Sequence, residues 1–180
     1  MLKSAVGALP FLLVAFVAHG QTTARSPEAG SADVANMPSE AEIGELMSKA
    51  SEYVEAYKQA FAAAKGSLER ASQPRFYDRA ATMCAQASQV IAAIKKNGST
   101  AVALVSLIAV LDDMSLNGAR ASASTLLLAV EDKRAMQDFQ NLAQAEKNCY
   151  DISELLLHAT IRYISAEEAP LRALLELQKK

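Results

Sequence analysis

The sequence predicts an all-α protein, an antiparallel bundle of four to six helices in which a long C-terminal helix is broken or bent. Alanine fills 36 of the 180 positions, whereas there are only seven glycines and five prolines. Many strong helix formers with few helix breakers are typical of helical chains. Apolar residues also recur every three or four positions over most of the chain, which is the spacing of one helix face.

The first twenty residues have the three parts of a secretory signal peptide. Lys3 supplies the positive start, Leu9 to Ala18 form an apolar run of ten, and Ala18-His19-Gly20 offers small residues for cleavage. Ten residues reach about 15 Å as a helix, half of the hydrocarbon core of about 30 Å, so no membrane span is expected after cleavage. We expect an exported protein in a bacterial periplasm or the culture medium, although a eukaryotic secretory route fits the same signal.

Residues 21–38 are small and polar and predict a flexible leader, which leaves residues 39–180 as a single helical-bundle domain. Ser39 and Glu42 predict a capping box, in which each side chain accepts from the other residue's backbone N–H. The apolar stripe that follows ends at Gln73-Pro74, because the residue before a proline is pushed out of helical geometry.

A second helix is expected from Arg75 to Asn97-Gly98, where the glycine suits a left-handed C-cap. Ser99 is then expected to cap a third helix, Ala101 to Leu111, which is apolar nearly all round. Such a helix is predicted to be the most buried element, and its eleven residues are too few to cross a membrane. Asn117-Gly118 is expected to close it.

The fourth helical pattern runs from about residue 122 to 166 without a glycine or proline. A continuous helix of that length would be about 67 Å long, against about 50 Å for the first helix. We therefore expect a break or bend near Lys147-Asn148, or a far half that packs on another subunit. Leu171 to Leu177 predicts a last short helix.

Cys84 and Cys149 both lie in the exported part, so a single disulfide between them is the default expectation. Cys84 lies about nine residues into the second helix and Cys149 about 27 into the fourth. Straight helices that start level would hold the two sulfurs tens of ångströms apart. The bridge therefore requires a broken fourth helix, which we favour, a non-parallel crossing, or an intermolecular bond.

Four side chains form a weak candidate polar site. Glu154, His158 and Arg162 share one helix face at intervals of four residues, which indicates a surface ion ladder rather than a general base held by a carboxylate. Asp112 directly follows the apolar third helix. It is expected to emerge into water or, if partly buried, to meet a cation such as Arg79, Arg120 or Arg162.

The sequence predicts no catalytic residue, no metal site and no cofactor. Paired Glu-x-x-His, His-Glu-x-x-His and Cys-x-x-Cys patterns are missing from it. Without Lys3 the chain carries 17 basic and 20 acidic side chains, a balance that argues against nucleic acid as a partner.

These observations predict an exported, non-enzymatic helical module that acts by contact with another protein or with a second copy of itself. The alternative is a carrier that encloses a small apolar ligand. Its walls would be the third helix and the aromatic stripe of Tyr53, Tyr57 and Phe61.

Overall fold

The computed structural model describes the backbone of residues 37–178 and the side chains of residues 37–168. The predicted signal peptide, residues 1–20, and nearly all of the predicted leader, residues 21–38, lie outside the described residues. Residues 37–178 form four helices, α1 (Glu40–Arg70), α2 (Arg75–Asn97), α3 (Ala101–Ala129) and α4 (Lys133–Gln178). The predicted all-α bundle is therefore confirmed, with a helix count at the low end of the expected range.

The four helices pack as a bundle in which each helix has two close neighbours. The most extensive interface joins α3 to α4, and α1 packs between α2 and α4. Helices α2 and α4 lie on a diagonal, with no Cα atom of one within 8 Å of a Cα atom of the other. The predicted disulfide would have to join these two diagonal helices, because Cys84 lies in α2 and Cys149 in α4.

Polar contacts at both ends fix the antiparallel register of α1 and α4. At one end Ser67 donates to Asp138 at 2.6 Å, and Arg70 pairs with Asp132 at 2.6 Å. At the other end Arg162 of α4 pairs with Glu42 of α1. The C-terminal end of α1 therefore lies beside the start of α4, and the N-terminal end of α1 lies beside Arg162 of α4.

Two of the predicted helix caps are present. Ser39 accepts from the backbone N–H of Glu42 at 3.1 Å, whereas the Glu42 side chain pairs with Arg162 instead of completing the capping box. Gly98, at φ 85°, ends α2 as expected. The cap of α3 is Thr100 rather than Ser99, because the Thr100 hydroxyl accepts from the backbone N–H of Ala103 at 3.2 Å.

The predicted end of the third helix at Asn117-Gly118 is wrong, since α3 continues to Ala129. Asn117 is buried in the core, where its amide donates to the Tyr57 hydroxyl and to the Phe76 carbonyl, both at 3.1 Å. The Tyr57 hydroxyl in turn donates to the Met114 carbonyl at 2.8 Å. Asn117 therefore joins three helices instead of terminating one.

Gly118 continues α3 because α4 lies very close to it. A Cβ atom added at Gly118 would stand 2.8 Å from Cβ and 3.2 Å from Cα of Glu146. No side chain fits in that space, so glycine serves here as a contact surface within the helix rather than as a C-cap.

The predicted break in the fourth helix is also wrong. Helix α4 is continuous from Lys133 to Gln178, about 69 Å of helix, and it includes the segment expected to form a separate last helix, residues 171–177. At the expected break, Lys147 pairs with Asp151 one turn further on at 2.5 Å. The chain reverses instead at residues 130–132, where Asp132 caps α4 by accepting from the backbone N–H of Arg134 at 2.8 Å.

Candidate functional site

Helix α3 presents two opposite apolar faces. Its inner face supplies Leu104, Leu107, Leu111 and Met114, all 0% exposed, to the bundle core. The inner face of α3 is therefore as deeply buried as the sequence predicts, whereas its outer face is exposed.

The outer face of α3 carries a line of exposed apolar side chains, which we call the outer stripe. Its members, including the residue just after the helix, are Val102, Val105, Ala109, Leu116, Ala123, Leu127 and Val130. Val102 is 77% exposed, Leu127 82% and Val130 78%. The expectation that the third helix is the most buried element is therefore wrong, because only one of its two apolar faces packs inside the bundle.

Helix α3 is also long and apolar enough to cross a membrane by length and composition, with a mean hydropathy of 1.5 over its most apolar window. The predicted length of eleven residues, which argued against a span, is thus corrected to 29. Of that window 44% is buried inside the bundle, and the core helix of a soluble protein passes the same test. The composition of α3 therefore does not by itself assign it to a membrane.

The apolar surface continues onto the edge of α4 that borders α3. Glu146 touches Gly118 of α3, and Ser153 donates a hydrogen bond to Asp112 of α3, so these two residues mark the edge. Exposed apolar side chains lie one or more helical turns from them on the same edge: Tyr150, Leu157, Ile161 and Ile164. The outer stripe is therefore bordered by further apolar surface on its α4 side.

The predicted ladder of Glu154, His158 and Arg162 does not form. Glu154 accepts from the Tyr150 hydroxyl at 2.7 Å, an interaction that raises the pKa of Tyr150, and Arg162 pairs with Glu42 of α1. The side chain of His158 is exposed and makes no hydrogen bond or ion pair with any other residue in the range 37–168. Nothing in this arrangement orients the imidazole as a general base.

Asp112 is exposed, and its partner is the hydroxyl of Ser153 on α4 rather than a cation. Arg79 reaches the neighbouring carboxylate, Asp113, at 3.7 Å. Arg120 is exposed and forms no ion pair within the part of the chain whose side chains are described. The outer stripe thus has a carboxylate and an unpaired guanidinium on its surface, two helical turns apart.

The two cysteines are free thiols in the structure, so the predicted Cys84–Cys149 disulfide is not formed. Cys84 belongs to α2 and Cys149 to α4, the diagonal pair whose Cα atoms all lie more than 8 Å apart. A disulfide requires a Cα separation below about 7 Å. The cysteine spacing predicts a geometric conflict between a disulfide and straight helices. In the structure the thiols lie apart and α4 is unbroken.

Burial keeps both thiols protonated. It raises the pKa of Cys84 to about 11 and the pKa of Cys149 to about 12. Since the thiolate is the nucleophile and the redox-active form, buried thiols with such pKa values are unreactive near neutral pH.

We expect neither cysteine to react with a water-soluble disulfide reagent while the protein is folded, and both to react after denaturation. The physical reason is that each sulfur is buried and protonated. Thiol titration with and without denaturant, combined with the intact mass, measures this directly. An intact mass two protons lower, or an unfolding temperature that falls on reduction, would contradict the structure.

A separate groove lies between α1 and α2, with a volume of about 300 Å³. Small side chains explain why it is hollow, since alanines of both helices line it. The rest of its apolar lining is formed by Val54, Phe61, Tyr77 and Cys84. The walls of this groove coincide only in part with the expected carrier walls. Phe61 lines the groove, but α3 does not, and Tyr57 is fully buried and hydrogen bonded in the core.

Among the described residues no group of three or more His, Cys, Asp or Glu side chains is placed to hold a metal ion. No protein-family model, curated protein or solved structure matches this chain. Among the described residues, the outer stripe is an apolar surface that packing within the single chain leaves exposed.

Proposed function

We propose that this protein is an exported, non-enzymatic module that binds another protein through the outer stripe of α3. One observation carries the proposal: Val102 and Leu127 on α3, and Val130 directly after it, are each more than three-quarters exposed, whereas the opposite face of α3 forms the core. Large exposed apolar patches are rare on monomeric soluble proteins and often mark interaction sites.

The length of the outer stripe suits a helical partner. From Val102 to Val130 it extends about 42 Å, at 1.5 Å per residue. Apolar residues spaced three and four apart are how one amphipathic helix recognises another. Burying a valine or leucine side chain contributes about 1.5–3 kcal/mol, so a few of these residues suffice for specific association.

The chemistry of the remaining groups supports contact rather than catalysis. The thiols are buried with raised pKa values, and Glu154, the carboxylate one turn from His158, accepts from Tyr150 rather than from the imidazole. The charged residues of α3 itself are Asp112, Asp113 and Arg120, without the basic excess that phosphate binding needs.

The groove between α1 and α2 supports a second candidate function, the carriage of a small apolar molecule. Its volume of about 300 Å³ is at the lower end of the range for ligand pockets. An apolar molecule that remains bound to the purified chain would favour this function. It does not explain the outer stripe, which lies on a different helix.

Site-specific photo-crosslinking in the producing cell tests the proposed function. A photoreactive residue at position 127 should yield a discrete crosslinked protein, whereas the same residue at position 155 should not. Leu155 is the matched control, because it is a half-exposed leucine outside the outer stripe. Crosslinks of equal yield at both positions, or none at position 127, would overturn the proposal.

A further inference from the structure

We infer that the partner is a second copy of this chain, bound antiparallel along the outer stripe with a two-fold axis at Leu116. This inference rests on the proposed function and adds the identity of the partner. Two features of the stripe carry it: the symmetry of its spacing and the complementarity of its charges.

The positions along the stripe are symmetric about residue 116. The exposed positions 102, 105, 109, 112, 116, 120, 123, 127 and 130 follow at intervals of 3, 4, 3, 4, 4, 3, 4 and 3 residues. An isologous contact requires that the same surface fit itself after a two-fold rotation. Because these intervals are the same in both directions, the outer stripe meets that requirement.

The side chains at those positions also match in kind. In an antiparallel contact centred on Leu116, each residue meets its mirror position on the second copy: Val102 meets Val130, Val105 meets Leu127, Ala109 meets Ala123, and Leu116 meets Leu116. Large apolar residues thus face large ones, while alanine faces alanine. The two helices would interdigitate along the whole stripe without an unmatched polar group.

The charges on the stripe are complementary under the same rotation. Position 112 is the mirror of position 120, so Asp112 of each copy meets Arg120 of the other. Within one chain Arg120 has no ion-pair partner in the described part, and Asp112 has only the Ser153 hydroxyl. Asp113 is already paired with Arg79. The second copy therefore supplies the counter-charges that one copy lacks.

The apolar edge of α4 is consistent with this arrangement. The two-fold rotation places the α4 helices of both copies on the same side of the α3 pair. Leu157 and Ile161, beside the first half of α3, then approach Leu126 and Met136 of the second copy, and all four are exposed in the single chain. The contact would thus cover the flanking apolar surface as well as the stripe.

Charge reversal tests the arrangement by sedimentation equilibrium of the purified chain from about 1 μM to about 500 μM. The wild-type chain should reach twice the mass of one chain. Asp112→Arg and Arg120→Asp should each weaken self-association by about tenfold or more, because each puts like charges opposite each other twice. An equimolar mixture of the two variants should recover the dimer, since both contacts become attractive.

Controls separate a failure of association from a failure of folding. Each variant should keep the helical circular dichroism of the wild type, and Leu155→Glu should dimerise normally whereas Leu116→Glu should not. Leu116 is 47% and Leu155 48% exposed, so the two positions are equally buried. They differ in that only Leu116 lies on the outer stripe. Asp112→Asn removes the charge while it keeps an acceptor for Ser153, and it should weaken the dimer less than the reversal.

Several outcomes would overturn the second copy as the partner. A chain that stays monomeric at every concentration would do so, as would a dimer indifferent to Leu116→Glu or a mixture that fails to recover. Binding of the purified chain to phospholipid vesicles through the stripe would assign it to a membrane surface. If position 127 still crosslinks to a different protein, the proposed function stands and only this inference fails. If position 127 crosslinks to nothing, both fail.

Discussion

Gly118→Ala is expected to destabilise the protein, although alanine is the better helix former. The new Cβ atom would lie 2.8 Å from Cβ and 3.2 Å from the backbone Cα of Glu146, which cannot swing away as the end of a flexible side chain does. Helices α3 and α4 would have to separate, and overpacking of this kind costs about 1–3 kcal/mol.

Gly66→Ala is the matched control, because Gly66 lies within α1 and an added Cβ atom there meets nothing within 4 Å. Replacing a helical glycine with alanine in open space stabilises by about 0.5–1 kcal/mol. The two variants should therefore shift the free energy of unfolding in opposite directions, as measured by urea titration of the circular dichroism signal. Equal stabilisation by both would show that α3 and α4 are not in close contact at Gly118.

The sequence was most informative where local chemistry decides the structure. The Ser39 cap, the end of α1 before Pro74 and the end of α2 at Gly98 depend on residues close together in the chain, and all three are present. Capping residues and prolines act on the backbone of their immediate neighbours, so tertiary contacts rarely change their effect.

The end of α3 could not be predicted in the same way. Asn117-Gly118 is a common helix stop, but here the Asn117 amide is satisfied by Tyr57 and Phe76, which are far away in the sequence. Gly118 is required by the approach of Glu146. Both reasons are tertiary. Because the stop was placed too early, the fourth helix was predicted to begin near residue 122, whereas α4 begins at Lys133.

The outer stripe could have been predicted from the sequence, but the sequence analysis did not identify it. The outer stripe keeps one phase from Val102 to Val130, but an early stop at Gly118 hid its second half. Composition alone suggested that the third helix would be buried on all sides. A four-helix bundle has room for only one face of each helix in its core, so an all-round apolar helix must leave the other face exposed.

The wrong disulfide prediction has a different cause, namely that the sequence does not show which helices are neighbours. Export makes a bond between two cysteines the default, but pairing depends on which helices are neighbours. In this bundle α2 and α4 are diagonal, and no sequence pattern specifies that arrangement.

The central claim is that the fold uses one apolar face of α3 and leaves the other for a partner. Leu111→Ala and Leu127→Ala are the same chemical change on the two faces, with Leu111 0% and Leu127 82% exposed. In protein dilute enough to be monomeric, Leu111→Ala should reduce the free energy of unfolding by about 2–5 kcal/mol, because it leaves a cavity in the core. Leu127→Ala should change it by less than about 0.5 kcal/mol, as at an ordinary surface position.

Denaturant unfolding of the two variants at low concentration is therefore the most direct measurement. The account predicts a large loss for Leu111→Ala and almost none for Leu127→Ala. Equal losses in the two variants would contradict it, because they would mean that the single chain already buries the outer face of α3.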